Sequence, residues 1–107
     1  MEQRGQKRYE FPEAFIVNPD GIGKLINISK DGLSFQCLDA IASVPERWVL
    51  DIIIPAERFH LEKLPVELVW KKLNNHPSFY SMPTETVGVR LGDLDDSQEK
   101  MLHDLFS

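Results

Sequence analysis

Two short stretches of this chain combine residue types that bind anions and purine bases. Residues 1 to 8 hold Arg4, Lys7 and Arg8, and residues 27 to 32 read Asn-Ile-Ser-Lys-Asp-Gly, so Asn27, Ser29 and Gly32 recur at spacings of two and three. Arginine presents a planar fork suited to bidentate recognition of phosphate and of the O6/N7 edge of guanine, and it stacks flat on a base. Asn27 offers a donor and an acceptor, and Ser29 a hydroxyl that serves either way. Gly32 permits a positive φ or a close approach of backbone to ligand. Together these side chains suit a guanine nucleotide. The second stretch also has the composition that a turn between two strands recruits, and the residues alone leave both readings open.

The charge distribution favours a small anion over a nucleic acid strand. The 107-residue chain has a formal net charge of −5, which argues against a surface that coats DNA or RNA through many phosphate contacts. Residues 1 to 8 carry +2 and the remainder −7, so the positive field is local. Cys37 is the only cysteine, which excludes an internal disulfide and fits a reducing compartment. No stretch approaches the roughly 18 to 20 apolar residues of a membrane span, and the first residues lack the apolar region of a signal peptide. A cytoplasmic location is expected. His60, His76 and His103 are scattered along the chain, and no metal site is expected from their spacing.

The elements that must position these residues are mostly strands. Short apolar segments at 14–18, 22–29, 33–38, 47–54, 64–73 and 86–94 are separated by turn signals such as Pro19-Asp20-Gly21, a spacing typical of a sandwich or barrel. Pro65 cannot donate to a ladder, so the fifth strand is expected to start there or to lie at an edge. Residues 73–85 read as a loop. Trp48 and Trp70 fall in apolar segments and are expected in the core. Leu94, Met101, Leu102 and Leu105 recur at helical spacing, which predicts one C-terminal helix over 96–106, started by Asp96 with Glu99. No nucleophile and base stand together, so no enzymatic activity is expected.

The motifs, taken in order, resemble the PilZ domain, a bacterial receptor module for cyclic di-GMP. Arg4 to Arg8 fit Arg-x-x-x-Arg, and Asn27, Ser29 and Gly32 fit [Asp/Asn]-x-Ser-x-x-Gly. "KRYEFPEAFIV" is similar to the family's lead-in to its first strand, and "VGVRLGDLDDSQEKMLHDLF" to its last strand and closing helix. The resemblance implies a mainly β fold, a six-stranded antiparallel split β-barrel with one C-terminal α-helix. It implies a flexible N-terminal segment over residues 1–12 and a barrel domain over 13–107.

By the same resemblance, Arg4 and Arg8 would grip phosphates and the guanine Hoogsteen edge, Asn27 and Ser29 would contact guanine or phosphate, and Gly32 would keep the surface open. Lys7 and Arg90 are accessory candidates, Arg90 with the structural role preferred. Asn27 stands where many members carry Asp, which removes a negative charge facing guanine N1 and N2. The expected ligand is cyclic di-GMP, with no cofactor, and the expected output is an unidentified protein effector. The alternative is an adapter of the same fold that binds no nucleotide. Monomer and dimer remain open.

Overall fold

The computed structural model describes residues 7–19, 21–37, 46–74 and 84–107. Among them, alternating apolar residues build six strands: β1 (Phe15–Asn18), β2 (Gly21–Ile28), β3 (Gly32–Cys37), β4 (Arg47–Ile54), β5 (Phe59–Asn74) and β6 (Thr84–Leu91). All neighbours pair antiparallel, and the order β1-β2-β3-β6-β5-β4 closes into a barrel. Closure leaves every strand a partner on each side, which removes free edges. The inward side chains, among them Ile16, Leu25, Ile28, Phe35, Leu50, Ile52, Leu64, Val66 and Val87, are almost completely buried. Burying each such side chain contributes about 1.5–3 kcal/mol before the entropy of ordering is charged against it.

One helix, α1 (Asp96–Leu105), packs on this barrel through Leu102, with Leu94, Met101, Leu105 and Phe106 partly buried beside it. The helix starts at Asp96, as the expected range 96–106 has it, but its cap lies one residue before the expected Asp96. Asp95 is the N-cap: its side chain accepts from the Gln98 N–H at 2.7 Å, and the Gln98 side chain accepts from the Asp95 N–H at 3.0 Å. The reason lies outside the helix. Gln98 is buried, and its amide nitrogen donates to the carbonyls of Glu62 and Lys63 at 3.1 and 2.9 Å. Only Gln98 can close the capping box and bridge to β5 at once.

The fifth strand differs more from the expected 64–73. It begins at Phe59, and Pro65 lies inside it. A bulge makes this possible: Leu50 pairs with Leu64 and Ile52 with Leu61, so Asp51 of β4 stands against both Glu62 and Lys63 of β5. Lys63 takes a left-handed φ of 54° there. Pro65 follows the bulge, and its carbonyl accepts from the Gly92 N–H at 2.8 Å, at the end of β6 where the ladder stops. A second irregularity, between Leu68 and Trp70 against β6, reverses the phase of the strand. Trp70 therefore points outward, 46 % exposed, which corrects its expected place in the core. Trp48 packs against the core, and its indole N–H donates to Asn18 Oδ1 at 3.0 Å.

Strand β6 ends at Leu91 rather than Leu94, because Leu94 packs with the helix. Cys37 is buried, as its strand position implied; burial, and then the charge of Glu85, push its thiol above the ordinary range. That favours the unreactive thiol. The loop expected over 73–85 falls largely on residues outside those described.

Candidate functional site

The turn after β2 and the segment that precedes β1 meet on the outer face of the barrel. Residues 29 to 31 form the β2–β3 connection and Gly32 opens β3, so the turn reading of that stretch is realised. The Ser29 N–H donates to the Gly32 carbonyl at 2.8 Å, while the Ser29 hydroxyl accepts from the Asp31 N–H and donates to the Gly32 carbonyl, both at 3.3 Å. Ser29 is buried. The turn is in turn held to the end of β6, where the Leu91 N–H donates to the Asp31 carbonyl at 2.8 Å.

Gly32 keeps its place for a reason the sequence did not indicate. Its φ is not in the left-handed region. A Cβ at this position would collide with the carbonyl oxygen of Val89 on β6 and come within 3.1 Å of the Arg90 Cα. Glycine is required here by the approach of two strands. A larger residue would push β3 away from β6 whether or not a ligand is present.

Asn27 sits at a β-bulge between Leu25 and Asn27 on β2, opposite Ser34 of β3. The bulge leaves Ile26 unpaired and turns Asn27 to the outer face, where it is half-buried. Its Oδ1 accepts from Arg8 Nη1 at 2.7 Å and from the Ser34 hydroxyl at 3.2 Å. A guanidinium only donates, so the oxygen of Asn27 must face Arg8 and its NH2 group points elsewhere. One end of the first motif and the head of the second are thus bonded to each other across 19 residues of sequence.

Arg8 reaches Asn27 because its neighbour is fixed. Tyr9 pairs with Ile28 as an extra rung on β2, with N–H to carbonyl distances of 2.8 and 2.9 Å in the two directions. Its ring stacks on Phe106 just past α1, centroids 4.6 Å apart and planes 15° from parallel. Lys7 places its ammonium 5.3 Å from the Tyr9 ring centroid, a cation–π distance. Arg4 lies outside the described residues.

Arg90 stands opposite Gly32 in the β3–β6 register, but its side chain is paired. Its Nε meets Glu67 Oε1 at 2.5 Å, and Arg47 Nε meets the other oxygen of Glu67 at 3.3 Å. The two guanidiniums, Arg90 first, hold the Glu67 carboxyl below its usual range, and Glu67 raises Arg90.

Two outer-face residues escaped the sequence reading. The registers align Asn27 with Ser34, Ser34 with Gly88 and Gly88 with Trp70 in one row across β2, β3, β6 and β5. Ser34 bonds Asn27, and the Trp70 indole covers Gly88, where any Cβ would collide with the ring. Alternation on β3 already pointed Ser34 away from the core. Nothing in the sequence announces Trp70, because the bulge before it reverses the phase. His60, read as isolated, stands beside Asp51 and Glu62.

No family model and no curated protein matches the chain. Solved structures do. The PilZ domain of YcgR from Escherichia coli, solved with c-di-GMP, superposes with a TM-score of 0.73 at 14 % identity, over 97 % of this chain and 88 % of that one. The chain has the PilZ fold. The MrkH–c-di-GMP complex of K. pneumonia gives a TM-score of 0.73 at 7 % identity over 99 % of this chain. A second MrkH structure, described as a c-di-GMP-dependent transcription regulatory factor, gives 0.70 at 7 % over 97 %. This chain spans about half of those two, 52 % and 49 % of their lengths. The PilZ fold accounts for the closed barrel and its C-terminal helix. At these identities it carries the architecture alone. Among the described residues no helix is long and apolar enough to cross a membrane.

Proposed function

We propose that the protein is a cyclic di-GMP receptor that passes the second-messenger signal to a protein partner. The observation that carries this reading is the 2.7 Å bond from Arg8 to Asn27, which brings the two polar motifs to one place on the barrel. The c-di-GMP present in the YcgR and MrkH structures of the same fold supports the choice of ligand.

Each residue then has a role. Arg8 and Arg4 grip phosphate and the guanine Hoogsteen edge, and Lys7 adds charge beside them. Asn27 keeps its oxygen on Arg8 and offers its NH2 group to an acceptor on guanine, which an aspartate could not do. Ser29 and Gly32 act through the turn, Ser29 by bonding its backbone and Gly32 by letting β3 and β6 close. Trp70 presents an aromatic surface in the row that contains Asn27 and Ser34. Arg90 supports this face through Glu67. Residues 1–12 contribute the Arg-x-x-x-Arg part of the site and 13–107 the barrel part, and the ligand bridges the two.

The test is calorimetric titration with cyclic di-GMP, with GTP as control and an Arg4→Ala/Arg8→Ala variant alongside. Saturable binding by the wild type, lost in the variant, establishes the receptor and its stoichiometry. A folded wild type that binds nothing overturns it and leaves an adapter acting through protein contacts.

A further inference from the structure

The β4–β5 hairpin carries a second polar cluster, on strands that do not contribute Arg8, Asn27, Ser29 or Gly32. The bulge that sets Asp51 against Glu62 and Lys63 turns the Lys63 N–H out of the ladder, and this group donates to Asp51 Oδ1 at 2.9 Å. The bond fixes the carboxylate with its other oxygen, Oδ2, 3.5 Å from His60 Nε2. The carboxylate of Glu62 completes the group. One donor atom from each of Asp51, His60 and Glu62 lies within 4.8 Å of the other two.

We propose that Asp51, His60 and Glu62 bind a divalent first-row transition ion such as Zn²⁺, Ni²⁺ or Co²⁺. One imidazole and two carboxylates form a mixed nitrogen and oxygen donor set, which these ions take, whereas Mg²⁺ and Ca²⁺ prefer oxygen alone. Bonds of about 2.0–2.2 Å to a common ion require the donors to close from their present separation. His60 and Glu62 are exposed, so rotation of two side chains accomplishes this against the anchored Asp51. The backbone bond to Asp51 is the kind of outer contact that orients a metal ligand. With a neutral imidazole the trio carries two negative charges, and among the described residues no lysine or arginine forms an ion pair with either carboxylate. Three protein ligands leave the remaining coordination positions to water. The bound ion ties β4 to β5 at the bulge whose carbonyls Gln98 grips from α1.

The test uses the full chain without an affinity tag, titrated with Ni²⁺ and Zn²⁺ by calorimetry, with the thermal midpoint recorded with and without ion. One ion per chain and a raised midpoint are expected, both lost in His60→Ala, both weakened in Glu62→Gln, and both retained in His103→Ala. Mg²⁺ at the same concentrations should raise nothing. Absence of saturable binding by the wild type overturns the site, and so does binding that survives His60→Ala. Circular dichroism of each variant without metal confirms that a lost signal is lost coordination and not a lost fold.

Discussion

The barrel is interrupted by a bulge at two places where a polar side chain matters, and the two are used differently. On β4–β5, the bulge frees a backbone N–H and Asp51 takes it at 2.9 Å, while Gln98 takes two nearby carbonyls. On β2, the bulge turns Asn27 outward, and its oxygen is taken by two side chains, Arg8 and Ser34. The first arrangement satisfies backbone groups that the bulge releases from the ladder, and so serves the fold. The second joins side chains that the fold could do without. A site of this kind can be altered without unfolding the barrel.

This contrast makes Arg8→Ala the most informative change. Provided Arg8 pairs with ligand phosphate, its loss should cost about 2–5 kcal/mol in cyclic di-GMP affinity by calorimetry, with the melting midpoint unchanged. A midpoint that falls with the affinity would place Arg8 in the fold and erase the contrast. Gly32→Val should break it from the other side. Its side chain collides with the Val89 carbonyl, so thermal melts should show a loss of about 1–3 kcal/mol in stability, in addition to weaker binding. Gln98→Ala should cost about 1–2 kcal/mol of stability, because it removes a capping box and two bonds to β5. Affinity of the folded variant should be retained. Ser34→Ala leaves Asn27 with Arg8 as its remaining partner, and should lower affinity by about 0.5–1.5 kcal/mol.

The smallest effect expected is one of acidity. Arg90 and Arg47 hold the Glu67 carboxyl below its usual range in the folded chain. A group lowered on folding stabilises the native state above its unfolded pKa, and that contribution is lost as pH falls through the lowered folded value. Melting midpoints should therefore decline on the acid side of the ordinary glutamate range, and Glu67→Gln should flatten that decline. The pair is exposed, so added salt should shrink the difference.

Much of this architecture was legible in the sequence wherever a strand kept its phase. Leu33, Phe35 and Cys37 alternate and all face inward, and Ile52 and Ile54 do the same on β4. Phase failed at the bulges, because an extra residue leaves no mark in a run such as Leu68-Val69-Trp70. The same failure hid Trp70 on the outer face. Arg8 and Asn27 were legible as types and spacings, but their bond depends on Tyr9 pairing with Ile28, a contact no local pattern encodes. Gly32 was legible as a requirement for glycine and misread as to cause, since the obstructing oxygen belongs to Val89, far along the chain. Likewise Asp51 and His60 meet only through strand register. Cross-strand neighbours are chosen by the fold, and a linear reading sees them last.

The stacking of Tyr9 on Phe106 joins residues 97 positions apart. Closing so long a loop from an open chain is costly in entropy, but once the barrel and helix stand, Tyr9 has only a short distance left to travel. Its pairing is therefore expected to come late in folding, and Arg8, the residue before it, is delivered to Asn27 by that same step. A chain with an incomplete barrel cannot form the bond between Arg8 and Asn27. Under the function proposed above, ligand binding then reports on completed folding.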